Sequence, residues 1–144
     1  EDFARSHPAG MLGRRLLLKI GDVMHTGEQI PAVGPEVSLS ETLVEMTRKG
    51  LGMTAIIDPD GHLLGVFTDG DLRRAIDDDD IDLRATPVTQ LMTPRPKTIT
   101  PDKLAVEAAQ LMEAHKIHAL LVVDAEQHVV GALNIHDLLR ARVV

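Results

Sequence analysis

A chain of 144 residues, 44% of them apolar, holds material for one compact domain or two very small ones, and with two Phe and no Trp or Tyr its core must be aliphatic. The lack of aromatics removes the stacking platforms used by single-stranded nucleic acids, and a formal net charge of -7 repels a phosphate polyanion, which argues against nucleic acid as a partner. The absence of cysteine excludes disulfides and thiolate chemistry and suits a cytoplasmic protein; no apolar run, Ala119 to Val123 included, approaches membrane-spanning length.

The opening Glu-Asp-Phe-Ala-Arg has neither a Met start nor an apolar leader, which suggests a piece of a longer protein, with residues 1–20 expected as an interdomain tail. An extended segment at Ile30 to Val33 leads through a Pro-containing turn to a predicted helix over about Leu39 to Lys49, where Leu39, Leu43 and Met46 recur at three- and four-residue spacing. Met53 to Ile57 reads as a buried strand, Asp58-Pro-Asp-Gly61 as a turn, and Leu63 to Phe67 as the return strand of a hairpin. A helix from about Asp69 to Ile76 closes the unit. Asp77 to Asp82 then places five carboxylates in six residues. The run has neither converging ligands nor a Gly turn, so it reads as a solvated linker rather than a cation site. The same elements recur as an extended Lys97 to Ile99, a helix over about Leu104 to Lys116, strands at Ala119 to Val123 and Val129 to Leu133, and a helix over about Ile135 to Arg142.

The recurrence is a sequence repeat. At an offset of 66, Pro35 meets Pro101, Glu41 meets Glu107, Met46 meets Met112, Asp58 meets Asp124, His62 meets His128 and Gly65 meets Gly131. Asp71, Leu72, Arg74 and Ala75 likewise meet Asp137, Leu138, Arg140 and Ala141, and the register runs without a gap from Pro35 to Ala75. Val23-Met24 and Leu91-Met92 correspond at an offset of 68. A repeat present only twice implies a pseudo-twofold pair rather than a solenoid. The expected fold is therefore α/β, a tandem pair of β-α-β-β-α repeats over residues 21–82, including the acidic linker, and 83–144. Each repeat is too small to bury its sheet alone.

The chemistry-bearing motif is Gly65-Val-Phe-Thr68-Asp-Gly-Asp71, where a strand runs into a helix, with Gly131-Ala-Leu-Asn134-Ile-His-Asp137 as its counterpart. Thr68 and Asp71 have capping-box spacing, as do Asn134 and Asp137, and helix capping alone would explain both pairs. A nucleotide offers further partners for the same groups. Free N–H groups at a helix start attract phosphate, a hydroxyl donates to phosphate oxygen, and a carboxylate accepts from ribose hydroxyls.

The tandem strand, Gly-x-x-Thr-x-x-Asp and helix pattern resembles a pair of cystathionine-β-synthase (CBS) domains. That resemblance implies a flat disc with two clefts that take adenosine or other nucleotides, with Thr68 on phosphate and Asp71 on ribose. Met53, Thr54, His118 and Ala119 join them as expected nucleotide-binding residues. Asn134 departs from the motif's Thr or Ser, and Asp137 matches it. Ser6-His7-Pro-Ala-Gly10-Met-Leu-Gly-Arg-Arg-Leu-Leu17, Asp22-Val-Met-His-Thr26 and Phe67-Thr-Asp-Gly-Asp-Leu-Arg-Arg74 further resemble the C-terminal part of bacterial D-arabinose 5-phosphate isomerases. Ala9 departs from that pattern, where a second Gly is usual. The resemblance implies an N-terminal sugar-isomerase domain in the same chain as a partner, and a place in lipopolysaccharide-sugar synthesis. It also implies that His7 serves as an acid–base group of the isomerase site, with imidazole suited to shuttling a proton near neutrality.

Two readings of function follow. One is a regulatory nucleotide- or sugar-nucleotide-binding module of a homo-oligomeric isomerase, with CMP-Kdo suggested by pathway logic alone. The other is a structural module that assembles subunits and binds nothing. No cofactor or metal is expected. His115 and His118 are three apart but lack an identifiable third ligand, His62 and His128 fall in equivalent turns, and His136 lies inside the second motif, within reach of a ligand.

Overall fold

Ser38 and Gly50 bracket the first long helix as their chemistry requires. The Ser38 hydroxyl accepts from the Glu41 N–H at 3.2 Å, and Gly50 ends the helix at φ 72°. In the computed structural model, which describes residues 17–144, this helix is α2 (Leu39–Lys49), preceded by the one-turn α1 (Ile20–Val23) and the short strand β1 (Ala32–Val33). The first unit continues through β2 (Met53–Ile57), β3 (Leu63–Thr68) and α3 (Asp69–Ile76), and the chain then adds β4 (Thr93–Pro94). The second unit is β5 (Thr98–Ile99), α4 (Ala105–His115), β6 (Ala119–Val123), β7 (Val129–Asn134) and α5 (Ile135–Arg140). His7 and the rest of residues 1–16 lie outside the described residues.

The β-α-β-β-α order is thus present twice, with elements at their expected places to within two residues. Both helices of the second unit are shorter than expected for local reasons. Leu104 has the extended backbone of a cap, Lys116 turns left-handed at φ 56°, and Arg142 does so at φ 59°.

The two sheets share one register. Met53 faces Thr68 across β2 and β3 as Ala119 faces Asn134 across β6 and β7, and each hairpin carries a register shift at its penultimate pair. The first sheet has order β1-β2-β3-β4, with β1 parallel to β2 and the rest antiparallel. The second has order β5-β6-β7, and its fourth place is taken by His25, which pairs with Ala132 through N···O contacts of 2.8 and 3.1 Å.

The segment before each repeat therefore completes the other repeat. Residues 18–25 precede the first unit but pack on the second: Ile20 donates to Lys103 O at 2.8 Å, Ala105 donates to Leu18 O at 2.7 Å, and Ile20 is buried with Ala105, Met112 and Leu138. Residues 83–94 precede the second unit but pack on the first, where Val88 is buried with Leu39, Met46, Ile56 and Phe67. Strand alternation divides the remaining apolar positions. Leu120 and Val122 of β6 face the helices, whereas Met53 and Ala55 of β2 meet Leu121 and Ala132 in a third cluster between the sheets. The units are thus joined by a shared aliphatic core as well as by exchanged segments.

Candidate functional site

Each β-hairpin delivers its last residue as the cap of the following helix. Thr68 Oγ1 accepts from Asp71 N–H at 3.3 Å, and Asp71 Oδ2 accepts from Thr68 N–H at 2.9 Å. Asn134 Oδ1 accepts from Asp137 N–H at 3.1 Å, and Asp137 Oδ2 accepts from Asn134 N–H at 2.8 Å. Both capping boxes read from the sequence are present. The exchanged segments add to each a partner that the sequence did not signal. Thr93 donates to Asp71 Oδ1 at 3.0 Å, and His25 Nε2 stands in the equivalent place, 2.8 Å from Asp137 Oδ1. Arg74 and Arg140 each reach back one turn to the same oxygens. Asp71 and Asp137, only 3% and 5% exposed, have their carboxylates engaged by cap, exchanged segment and arginine.

Between the two helix starts lies a cleft of about 920 Å³, within the range of small-molecule sites. The first unit lines it with Gly50 to Met53, Thr68 to Gly70, Arg73 and Arg74; the second with Lys97, His115 to Ala119 and Asn134 to His136. Of the residues singled out in the sequence, Met53, Thr68, His118, Ala119 and Asn134 line this cleft. Thr54, Asp71 and Asp137 do not. Thr54 alternates with Met53 along β2 and is wholly buried, its hydroxyl without a hydrogen-bond partner. The two aspartates lie buried beneath their arginines.

The charge of the lining is the reverse of the chain's. Arg73, Arg74, Lys97 and Lys116 stand against Asp69 alone, in a protein of formal net charge -7. A cationic recess between low-dielectric walls concentrates anions against an unfavourable average field. Sequence reasoning missed these four cations because they come from three separate stretches of chain: Arg73 and Arg74 on α3, Lys97 just before β5, and Lys116 at the end of α4. His115, His118 and His136 share the same cleft.

His62 and His128 sit elsewhere, at the hairpin tips, where their rings stack with centroids 4.3 Å apart. Each lies 3.2 Å from its own aspartate, Asp58 or Asp124. Both aspartate carboxyls are held below the usual range, chiefly by accepting the backbone N–H of His62 or His128. Asp58, Asp60 and His62, and likewise Asp124, Glu126 and His128, bring three ligand-type atoms within 4.8 Å of one another. Among the described residues no helix is long and apolar enough to cross a membrane.

The CBS-domain family model matches residues 20–78 and 88–144. This chain belongs to the CBS-domain family. As a CBS pair it is 59% identical over its full length to arabinose 5-phosphate isomerase KdsD of Pseudomonas aeruginosa, of which it covers 44%, and 50% identical to KdsD of Escherichia coli K12, of which it covers 43%. The chain therefore spans less than half the length of these curated relatives. Among solved structures, that of CBSX2 in complex with AMP is similar at 26% identity and a TM-score of 0.77, over 88% of this chain and 96% of that one.

Proposed function

We propose that this CBS pair is the regulatory nucleotide-binding module of a D-arabinose 5-phosphate isomerase, acting in the cytoplasm in lipopolysaccharide-sugar synthesis as part of a homo-oligomer. The observation that carries the reading is the cationic cleft between two helix starts in an otherwise acidic protein. The similar CBSX2 structure holds AMP, and the relatives covering the whole chain are isomerases. Thr68 then meets phosphate. Asp71 meets ribose once Arg74, whose side chain is 71% exposed, swings aside and leaves Oδ1 with Thr93 as its remaining donor and room to accept from a ribose hydroxyl. The N-terminal isomerase domain is the same-chain partner, His7 completes its active site, and a sugar nucleotide such as CMP-Kdo closes a feedback loop.

Titration calorimetry and thermal unfolding with AMP, CMP and sugar nucleotides test this. A ligand at 100 times its dissociation constant adds about 2.7 kcal/mol of stability. Asp71→Asn weakens binding more than folding, since asparagine keeps volume and capping ability. Binding unaffected by Asp71→Asn refutes the ribose assignment. No binding by the parent chain leaves the satisfied capping boxes as sufficient explanation, and the module is then structural.

A further inference from the structure

Equivalent residues of the two hairpin tips pair with each other, away from the cleft. The Leu63 N–H donates to Gln127 O at 3.0 Å and the Val129 N–H to Gly61 O at 3.2 Å. His62 and His128 are thus a non-hydrogen-bonded antiparallel pair with side chains on one face, where their rings stack. Each imidazole is accompanied by two carboxylates of its own turn: Asp58 and Asp60 with His62, Asp124 and Glu126 with His128. One oxygen of the first aspartate holds the turn. Asp58 Oδ1 accepts from the Asp60 and His62 N–H groups, both at 2.9 Å, and Asp124 Oδ1 accepts from those of Glu126 and His128, both at 2.9 Å. The other oxygen, Oδ2, faces the histidine Nδ1 at 3.2 Å in both turns. The needs of the turn account for the first residue of each triad, but not for the second carboxylate or the imidazole. Between the repeats the remaining turn residues differ. Pro59 corresponds to Ala125, and Gly61, at φ 90°, corresponds to Gln127, at φ 68°. Both turns nevertheless keep an aspartate, a carboxylate two residues on and a histidine two further on.

We propose that the paired tips are a transition-metal site, in which Asp58, Asp60 and His62 ligate one Zn(II)-type ion and Asp124, Glu126 and His128 a second. Two carboxylates and an imidazole are a donor set that Zn(II) accepts, with water in the fourth place. Metal–ligand bonds of about 2.0 Å set neighbouring tetrahedral donors about 3.3 Å apart. Nδ1 and Oδ2 already stand at 3.2 Å in both turns, and Glu126 Oε2 lies 3.7 Å from His128 Nδ1. The ion takes the Nδ1 lone pair and the ring proton moves to Nε2, while the backbone bonds to Oδ1 keep the aspartate oriented. Each triad's two carboxylates match the charge of its own ion, so two ions can sit on adjoining tips. Side-chain exposures of 40% at His62 and 35% at His128 leave an approach from solvent. None of the six residues lines the cleft, so the site stands whether or not a nucleotide binds there.

Zinc titration of the full chain by calorimetry, with amide shifts followed by heteronuclear NMR, tests the site. Two equivalents of Zn(II) should bind, with shifts centred on residues 58–62 and 124–128. Mg(II) and Ca(II) at the same concentration should leave those shifts unchanged, because imidazole favours Zn(II) over the hard cations. Asp60→Asn and Glu126→Gln keep the turn and the aspartate–histidine contact, so the unfolding temperature should hold. Each should weaken zinc at its own tip by at least about tenfold, the loss that even an outer-shell partner brings, and the double variant should lose both equivalents. A response to Ca(II) equal to that to Zn(II) would reveal nothing more than an acidic surface and overturns the site. Absence of zinc binding, full affinity in the double variant, or shifts confined to His115, His118 and His136 in the cleft overturns it as well. A single equivalent lost with either variant alone overturns the assignment of one ion to each tip.

Discussion

Asp71 and Asp137 occupy the same place in the two repeats, yet different chemistry closes them off. Around Asp71 the partners are hydroxyls, from Thr68 and Thr93, backed by an exposed arginine. Around Asp137 they are the backbone N–H of Asn134, whose side-chain amide turns to Leu51 O instead, and the imidazole of His25, with Arg140 in the arginine's place. Thr93 and His25 arrive from the segments that the repeats exchange, so each aspartate reports on the other repeat's leader as much as on its own helix. Duplication fixed the cap because a helix start needs it in any context. It left the third partner free to diverge because a carboxylate accepts equally well from a hydroxyl or a ring N–H.

The largest test removes the exchange altogether. A fragment of residues 20–82 carries Ile20, which belongs to the second core, and lacks Val88, which belongs to the first. It should show no cooperative unfolding transition by circular dichroism, whereas residues 26–96, which keep the first sheet with β4, should retain more structure. A cooperative, monomeric 20–82 fragment would mean that the exchanged segments are incidental.

A smaller effect reads the exchange from inside. A Cβ on Gly65 would stand 2.5 Å from Met92 Sδ and 2.9 Å from the backbone oxygen of Thr93, and one on Gly131 would crowd Met24 and lie 3.2 Å from His25 O. Each glycine thus admits the other repeat's leader. Gly65→Ala and Gly131→Ala should each destabilise by about 1–3 kcal/mol through overpacking. Gly65→Ala should be the worse, because its closer backbone neighbour cannot turn aside as a methionine can. Equal, negligible losses in chemical denaturation would show that the leaders yield easily.

The smallest effect compares the third partners. Thr93→Ala and His25→Ala each remove one hydrogen bond to an engaged carboxylate, for about 1 kcal/mol. Thr93→Ala should cost less, because Thr93 is exposed and water can replace its hydroxyl, whereas His25 is partly buried. The reverse order in matched denaturation curves would show that the imidazole fills space without holding Asp137.

Much of this protein was legible in its residues. The offset of 66 fixed the number of units, Ser38 and Gly50 fixed the limits of α2, and the Thr68–Asp71 and Asn134–Asp137 spacings fixed both caps. These features depend on contacts only a few residues apart, so pattern and spacing suffice. The stacking of His62 on His128, the third partners Thr93 and His25, and the gathering of Arg73, Arg74, Lys97 and Lys116 into one cationic recess were settled only by tertiary structure. Each joins residues from different elements, and His25 and Asp137 are 112 positions apart. The exchange of leaders decided which residues meet. Neither repeat can bury its sheet unaided, and each leader finds its apolar surface on the repeat it does not precede.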